Sequence, residues 1–118
     1  MYGLITRWSL AEVPADVDRQ LRDYVRTESH PKFSGRPGLI EKIWTMRPGA
    51  FFAGNYIWAT EQARAEFVAS LATTPSKVTQ IIGRDPELVE EFEIVAVAEG
   101  GEGLAGITGT GTAFRALA

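Results

Sequence analysis

The stretch RPGLIEKIWTMRPGAFFAGNYIWATEQAR, Arg36 to Arg64, decides the fold. Leu39 to Met46 and Phe51 to Ala59 are rich in branched and aromatic side chains, the composition of strands. Between them Arg47-Pro48-Gly49 predicts a tight turn, because proline presets one turn dihedral and glycine tolerates a positive one. Thr60 then offers a helix cap, with Glu61 and Gln62 in the first turn and Ala63, Phe67, Val68 and Leu71 as the apolar stripe. The stretch is a hairpin running straight into a helix. Alternation puts Leu39, Glu41, Ile43 and Thr45 on one face of the first strand, and Ile40, Lys42, Trp44 and Met46 on the other. In the second strand Phe51, Ala53, Asn55, Ile57 and Ala59 oppose Phe52, Gly54, Tyr56 and Trp58. Neither strand has a clean polar face, which predicts a sheet covered on both sides.

Outward from the hairpin the pattern simplifies. Tyr2 to Leu10 reads as a first strand. Val17, Leu21, Tyr24, Val25 and Glu28 recur at helical spacing, and that helix should stop near Ser29 or His30 because Pro31 follows. Ser76 to Ile82 reads as a short helical turn and Leu88 to Glu99 as a final strand. Residues 1–99 make one domain. From Gly100 the composition turns to glycine, alanine and threonine, which predicts a C-terminal arm, residues 100–118, laid on a surface such as that of a partner subunit.

The chain has 118 residues, enough for one domain with a real core. An apolar fraction of 45% against 23% charged residues argues for a globular chain over a disordered one. The net charge of -3, with no run of Lys or Arg, disfavours nucleic acid as a partner. Cysteine is absent, which removes disulfides, thiolate metal sites and cysteine nucleophiles together and fits a reducing compartment. No stretch approaches the roughly 20 apolar residues of a membrane span, and the start lacks a basic leader. A cytoplasmic protein with no membrane partner is the expectation.

Strand, helix, strand, strand, helix, strand is the split βαββαβ order of an α+β, ferredoxin-like fold. Right-handed crossovers make the first and second strands parallel with the third between them. Helices then cover one face, and the large apolar residues of the other face predict a homodimer. The segments PGLIEKIWT and FAGNYIWATEQARAEF also resemble the hairpin and following helix of the dimeric α-β barrel superfamily, closest to the YdhR-like monooxygenases akin to antibiotic biosynthesis monooxygenases. The resemblance covers roughly residues 2 to 99 and does not reach the arm. It implies a dimeric α-β barrel, a pocket between sheet and helices, and oxidation of a planar aromatic or polyketide-type molecule without a cofactor. Polyketide cyclases and small stress proteins share related folds, so a cyclase or isomerase, or a non-enzymatic dimer that binds a small aromatic molecule, stands beside the monooxygenase.

The residues that could carry chemistry are few. His30, the only histidine, has the side chain best suited to proton transfer near neutrality, although a helix-end histidine is also an ordinary cap. Asn55 inside an apolar strand could hold an enolate oxygen or make a structural hydrogen bond. Tyr56 lies on the face opposite Asn55, so one cavity takes one of the two. His30, Asn55 and Tyr56 are the catalytic candidates. Trp8, Trp44 and Trp58 could stack on a planar substrate, or could simply fill core. Arg47 could neutralise its charge, or point to solvent beside the turn. The end of the first helix with His30 should approach Tyr56 and Trp58, with Trp8, Trp44 and Arg47 at the other end. Glu41 and Lys42 occupy opposite faces, so one of them points inward or to a dimer seam. No protein-only metal site is expected, because His30 has no second histidine or cysteine to join it; haem on His30 is a lesser alternative.

Overall fold

The computed structural model describes residues 1–103; the proposed arm, from residue 104 onward, lies outside the described residues. Strand β1 (Tyr2–Ser9) leads into helix α1 (Asp16–Tyr24), a π-helical turn (Val25–Ser29) and a last helical turn, α2 (His30–Phe33). The hairpin follows as β2 (Leu39–Arg47) and β3 (Phe51–Trp58), then α3 (Glu61–Thr73), α4 (Lys77–Ile82) and β4 (Leu88–Glu93). The sheet has four strands in the order β2-β3-β1-β4, with every neighbouring pair antiparallel. β1 and β2 therefore run parallel with β3 between them.

This architecture corrects the dimeric α-β barrel expected from the sequence. The fold is α+β, but the sheet is open. β2 and β4 form opposite edges and pair with nothing beyond them among the described residues. Closing a sheet around a filled interior takes about eight strands, and four have too little width to curl onto themselves.

The helices lie on one face. Val17, Leu21 and Val25 from the first helix pack with Trp8, Leu10 and Phe52 from the sheet, and α4 adds Val78 and Ile82. A second cluster joins Phe33 and Phe67 to Leu4, Tyr56 and Trp58. Arg64 clamps α3 across the sheet edge: its guanidinium donates to the carbonyls of Gly3 (3.1 Å) and Phe92 (3.0 Å) and pairs with Glu91 at 3.7 Å. The turn forms as expected, with Ala50 N–H donating to the Arg47 carbonyl at 2.9 Å and Gly49 at φ 76°. Thr60 Oγ1 accepts from Ala63 N–H at 3.1 Å, capping α3.

Three expectations need correction. Pro31 does not end the first helix. The backbone stays helical from Asp16 to Phe33, and the π-helical turn just ahead of Pro31 loosens the winding where the proline ring would otherwise meet the carbonyl four residues back. Leu39 does not share a face with Glu41. The register slips between these two residues, so Ile40 bulges outward at 52% exposure and Leu39 joins the helix-side core. The last strand stops at Glu93 instead of Glu99, because its partner runs out: Tyr2 pairs with Glu93, and Met1 supplies only its carbonyl to Ile94.

Candidate functional site

The register of the hairpin sorts its polar side chains by face. Lys42 pairs with Tyr56 and Trp44 with Gly54, on the helix side; Ile43 pairs with Asn55 and Thr45 with Ala53, on the open side. On the helix side these strands meet the end of the first helix. Trp44 Nε1 donates to Ser29 Oγ at 3.0 Å, inside the π-helical turn. The ring of Trp44 lies 5.8 Å from His30 and 6.2 Å from Phe33. Phe33 in turn meets Tyr56 and Phe67 edge-on, both at 5.9 Å. Tyr56 stacks on Trp58 at 6.0 Å with 12° between planes.

Lys42 enters this aromatic group. Its Nζ lies 3.6 Å from the Phe33 ring centre and 4.6 Å from those of Trp44 and Tyr56. Burial holds its pKa well below the ordinary lysine value, and the positive charges of Lys32 and Arg36 push the same way. The negative ring faces oppose that trend, but they cannot replace the lost water or a counter-charge. Arg36 packs on the same rings, 5.1 Å from Phe33, 5.3 Å from Phe67 and 5.6 Å from Trp58. Lys32 stands 5.8 Å from Phe33.

Tyr56 is buried, and burial raises its pKa, with a weaker opposing influence from the Thr6 hydroxyl. It stays protonated over the physiological range and can only donate its proton in a hydrogen bond. The hydroxyl lies over Gly54: a Cβ there would come within 2.9 Å of it and 3.2 Å of Thr6 Oγ1. Thr6 Oγ1 and Trp58 Nε1 are buried without a well-formed hydrogen bond among the described residues.

The candidates from sequence divide accordingly. His30, Tyr56, Trp44 and Trp58 gather on the helix side. Trp44 packs against the cluster that holds Trp8, as its place in the strand predicts, and its indole N–H also reaches Ser29 at the His30 end. Trp8 is buried in that cluster and donates to Thr79 Oγ1 at 3.0 Å. Arg47 is exposed at the hairpin turn. Asn55 sits on the open face, where its amide donates to the Ile43 carbonyl at 3.2 Å and to Thr45 Oγ1 at 3.1 Å. His30 is half-buried, with both ring nitrogens near Ser34 Oγ, at 3.4 and 3.5 Å. Phe33, Arg36 and the inward direction of Lys42 escaped the sequence reading. A signal existed for Lys42, since it shares strand parity with Trp44 and Met46 and is the one charge on that face of β2.

Among the described residues no three His, Cys, Asp or Glu side chains gather to hold a metal ion, and no helix is long and apolar enough to cross a membrane. No protein-family profile and no curated protein matches this sequence. The fold is similar to that of a solved structure from Chloroflexus aurantiacus J-10-fl, provisionally named an antibiotic biosynthesis monooxygenase. The likeness has a TM-score of 0.50 and 17% identity, and spans 82% of this chain and 95% of that one. It is a likeness of fold.

Proposed function

We propose that the chain is a monooxygenase-like enzyme that oxidises a planar, ionisable aromatic, such as a phenol or an anthrone-like polyketide, on the helix side of its sheet. The observation that carries this reading is Lys42 Nζ among Phe33, Trp44 and Tyr56. An amine whose pKa is lowered by burial is more often neutral near physiological pH, and so is free to accept a proton from an acidic C–H or O–H. The ammonium so formed then stabilises the substrate anion, in a setting where aromatic walls exclude water. Tyr56, kept protonated, donates a hydrogen bond to the developing oxygen charge. His30, at the half-exposed rim against Trp44, exchanges protons with solvent.

The electron-rich anion reduces dioxygen itself. For an anthrone-type methylene the balance is one CH2 and one O2 giving one carbonyl and one water, so no outside reductant enters. The likeness of fold to the Chloroflexus protein supports the same reading. Oxygen-electrode measurements with anthrone-type substrates test it: oxygen uptake should match product formed. Product formation that continues anaerobically would instead identify a cyclase or isomerase, and no turnover of any phenol or anthrone would leave a binding protein. Two copies are expected to pair through the open face, where Ile43, Phe92 and Leu88 keep 48%, 41% and 37% of their surface exposed. Light scattering on the purified chain should return twice the monomer mass.

A further inference from the structure

We propose that Arg36 and Lys42 form a receptor for a carboxylate borne on a planar aromatic body. This deepens the reading above and rests on it only for the choice of sheet face. Three cations converge on one ring, with Lys42, Arg36 and Lys32 at 3.6, 5.1 and 5.8 Å from Phe33. None of them takes part in the ion pairs among the described residues, which join Arg7 to Glu87, Arg26 to Asp23 and Arg64 to Glu91. Residues 104–118 contain no Asp or Glu side chain. In a chain of net charge -3, the most buried lysine has cations for neighbours and no acid.

Such a group is electrostatically incomplete. A buried charge is costly unless paired and hydrogen-bonded, and the ring faces attract cations without neutralising them. A carboxylate supplies what is missing. Its two oxygens match the planar fork of Arg36, and its charge offsets that of Lys42. The indole N–H of Trp58, whose ring lies beneath Arg36, is a further buried donor without an acceptor.

The body of the ligand follows from the walls. Phe33, Trp58 and Phe67 are covered, whereas Trp44 is half-buried and leaves ring surface beside the cations, which favours a flat apolar scaffold. Phosphate groups are held by successive backbone N–H groups at turns and by helix N-termini, whereas here the elements that bring the cations in are a strand and the loop after a helix C-terminus.

Calorimetric titration of the whole chain under argon tests the receptor, with 2-naphthoate, its uncharged isostere 2-naphthamide, and inorganic phosphate as probes. The acid should bind about tenfold or more tightly than the amide, the discrimination expected of a charge-assisted pair. Arg36→Gln and Lys42→Met should each weaken naphthoate by about tenfold and leave the amide within about twofold. Equal affinity for acid and amide, absence of binding, or phosphate binding as tightly as naphthoate would overturn the proposal. Arg36 is half-exposed, so its variant keeps the test available if Lys42→Met fails to fold. No turnover is needed, so the oxidase reading can fail while the receptor stands. Conversely, oxidation of a neutral phenol by a chain indifferent to naphthoate would remove the receptor and keep the oxidase.

Discussion

The two faces of the hairpin treat a polar side chain within the strands in opposite ways. On the open face the Asn55 amide finds a carbonyl and a hydroxyl on the neighbouring strand, both within 3.2 Å. On the helix face Lys42 finds rings and other cations. Asn55 is thus explained by the sheet itself, because a half-buried amide whose N–H groups have two acceptors needs nothing further. Lys42 is not explained that way. A fold that needed only packing at this position would be served by leucine or methionine, so the amine is the feature that asks for a ligand.

The largest expected effect comes from removing the support on the helix side. Trp58→Ala deletes a side chain 1% exposed and stacked on Tyr56, and should cost about 3–5 kcal/mol in denaturant unfolding. Ile43→Ala, on the other face, should cost under about 1 kcal/mol in the separated monomer, because nearly half of that residue's surface is exposed there. Equal losses would erase the contrast between the faces. Next comes Gly54→Ala. Its Cβ would press on the Tyr56 hydroxyl at 2.9 Å, which should cost about 1–3 kcal/mol and shift the near-ultraviolet circular dichroism of the stacked rings.

Lys42→Met sharpens the comparison through pH. Because the folded state lowers the lysine pKa, the unfolded chain binds more protons in the interval below 10.5, and wild-type stability gains from this residue as pH rises toward that value. The variant should therefore be more stable than wild type near neutrality, by about 1 kcal/mol, with the advantage gone above the unfolded lysine pKa. Taking the difference between the two proteins removes the titrations they share. A constant difference between about pH 6 and about pH 11, limits that bracket the ordinary lysine pKa, would contradict the lowered pKa. Asn55→Ala should cost about 1 kcal/mol for two modest hydrogen bonds, with no change in naphthoate affinity.

Much of this could be read from the chain before the coordinates. Arg47-Pro48-Gly49 marked the turn, Thr60 the cap, and Phe67 with Val68 and Leu71 the packed side of α3, since each signal is local and uncontested. The misses were long-range. LIEK reads as unbroken alternation, and only pairing with β3 reveals that Ile40 is pushed out and Leu39 turned inward. Pro31 looked like a stop because a π-helical turn has no sequence mark comparable to a proline's. Residues 94–99 keep strand-like alternation but lack a partner strand. Barrel closure was inferred from likeness of the hairpin, whereas edges are a property of the whole sheet. For the site, His30 and Tyr56 stood out by residue type. Arg36 did not, because a loop arginine beside Pro37 and Gly38 gives no hint that three rings will gather under its guanidinium.

The strand order has a consequence for how the chain assembles. β1 lies inside the sheet, yet its two neighbours come from residues 51–58 and 88–93. The hairpin can zip up locally, as soon as its turn is made. The first strand must wait for both flanks, and closing such long loops is what slows folding. During synthesis Leu4, Thr6 and Trp8 emerge early and stay unmatched until most of the polypeptide has followed, so the centre of this sheet is the last of it to be sealed.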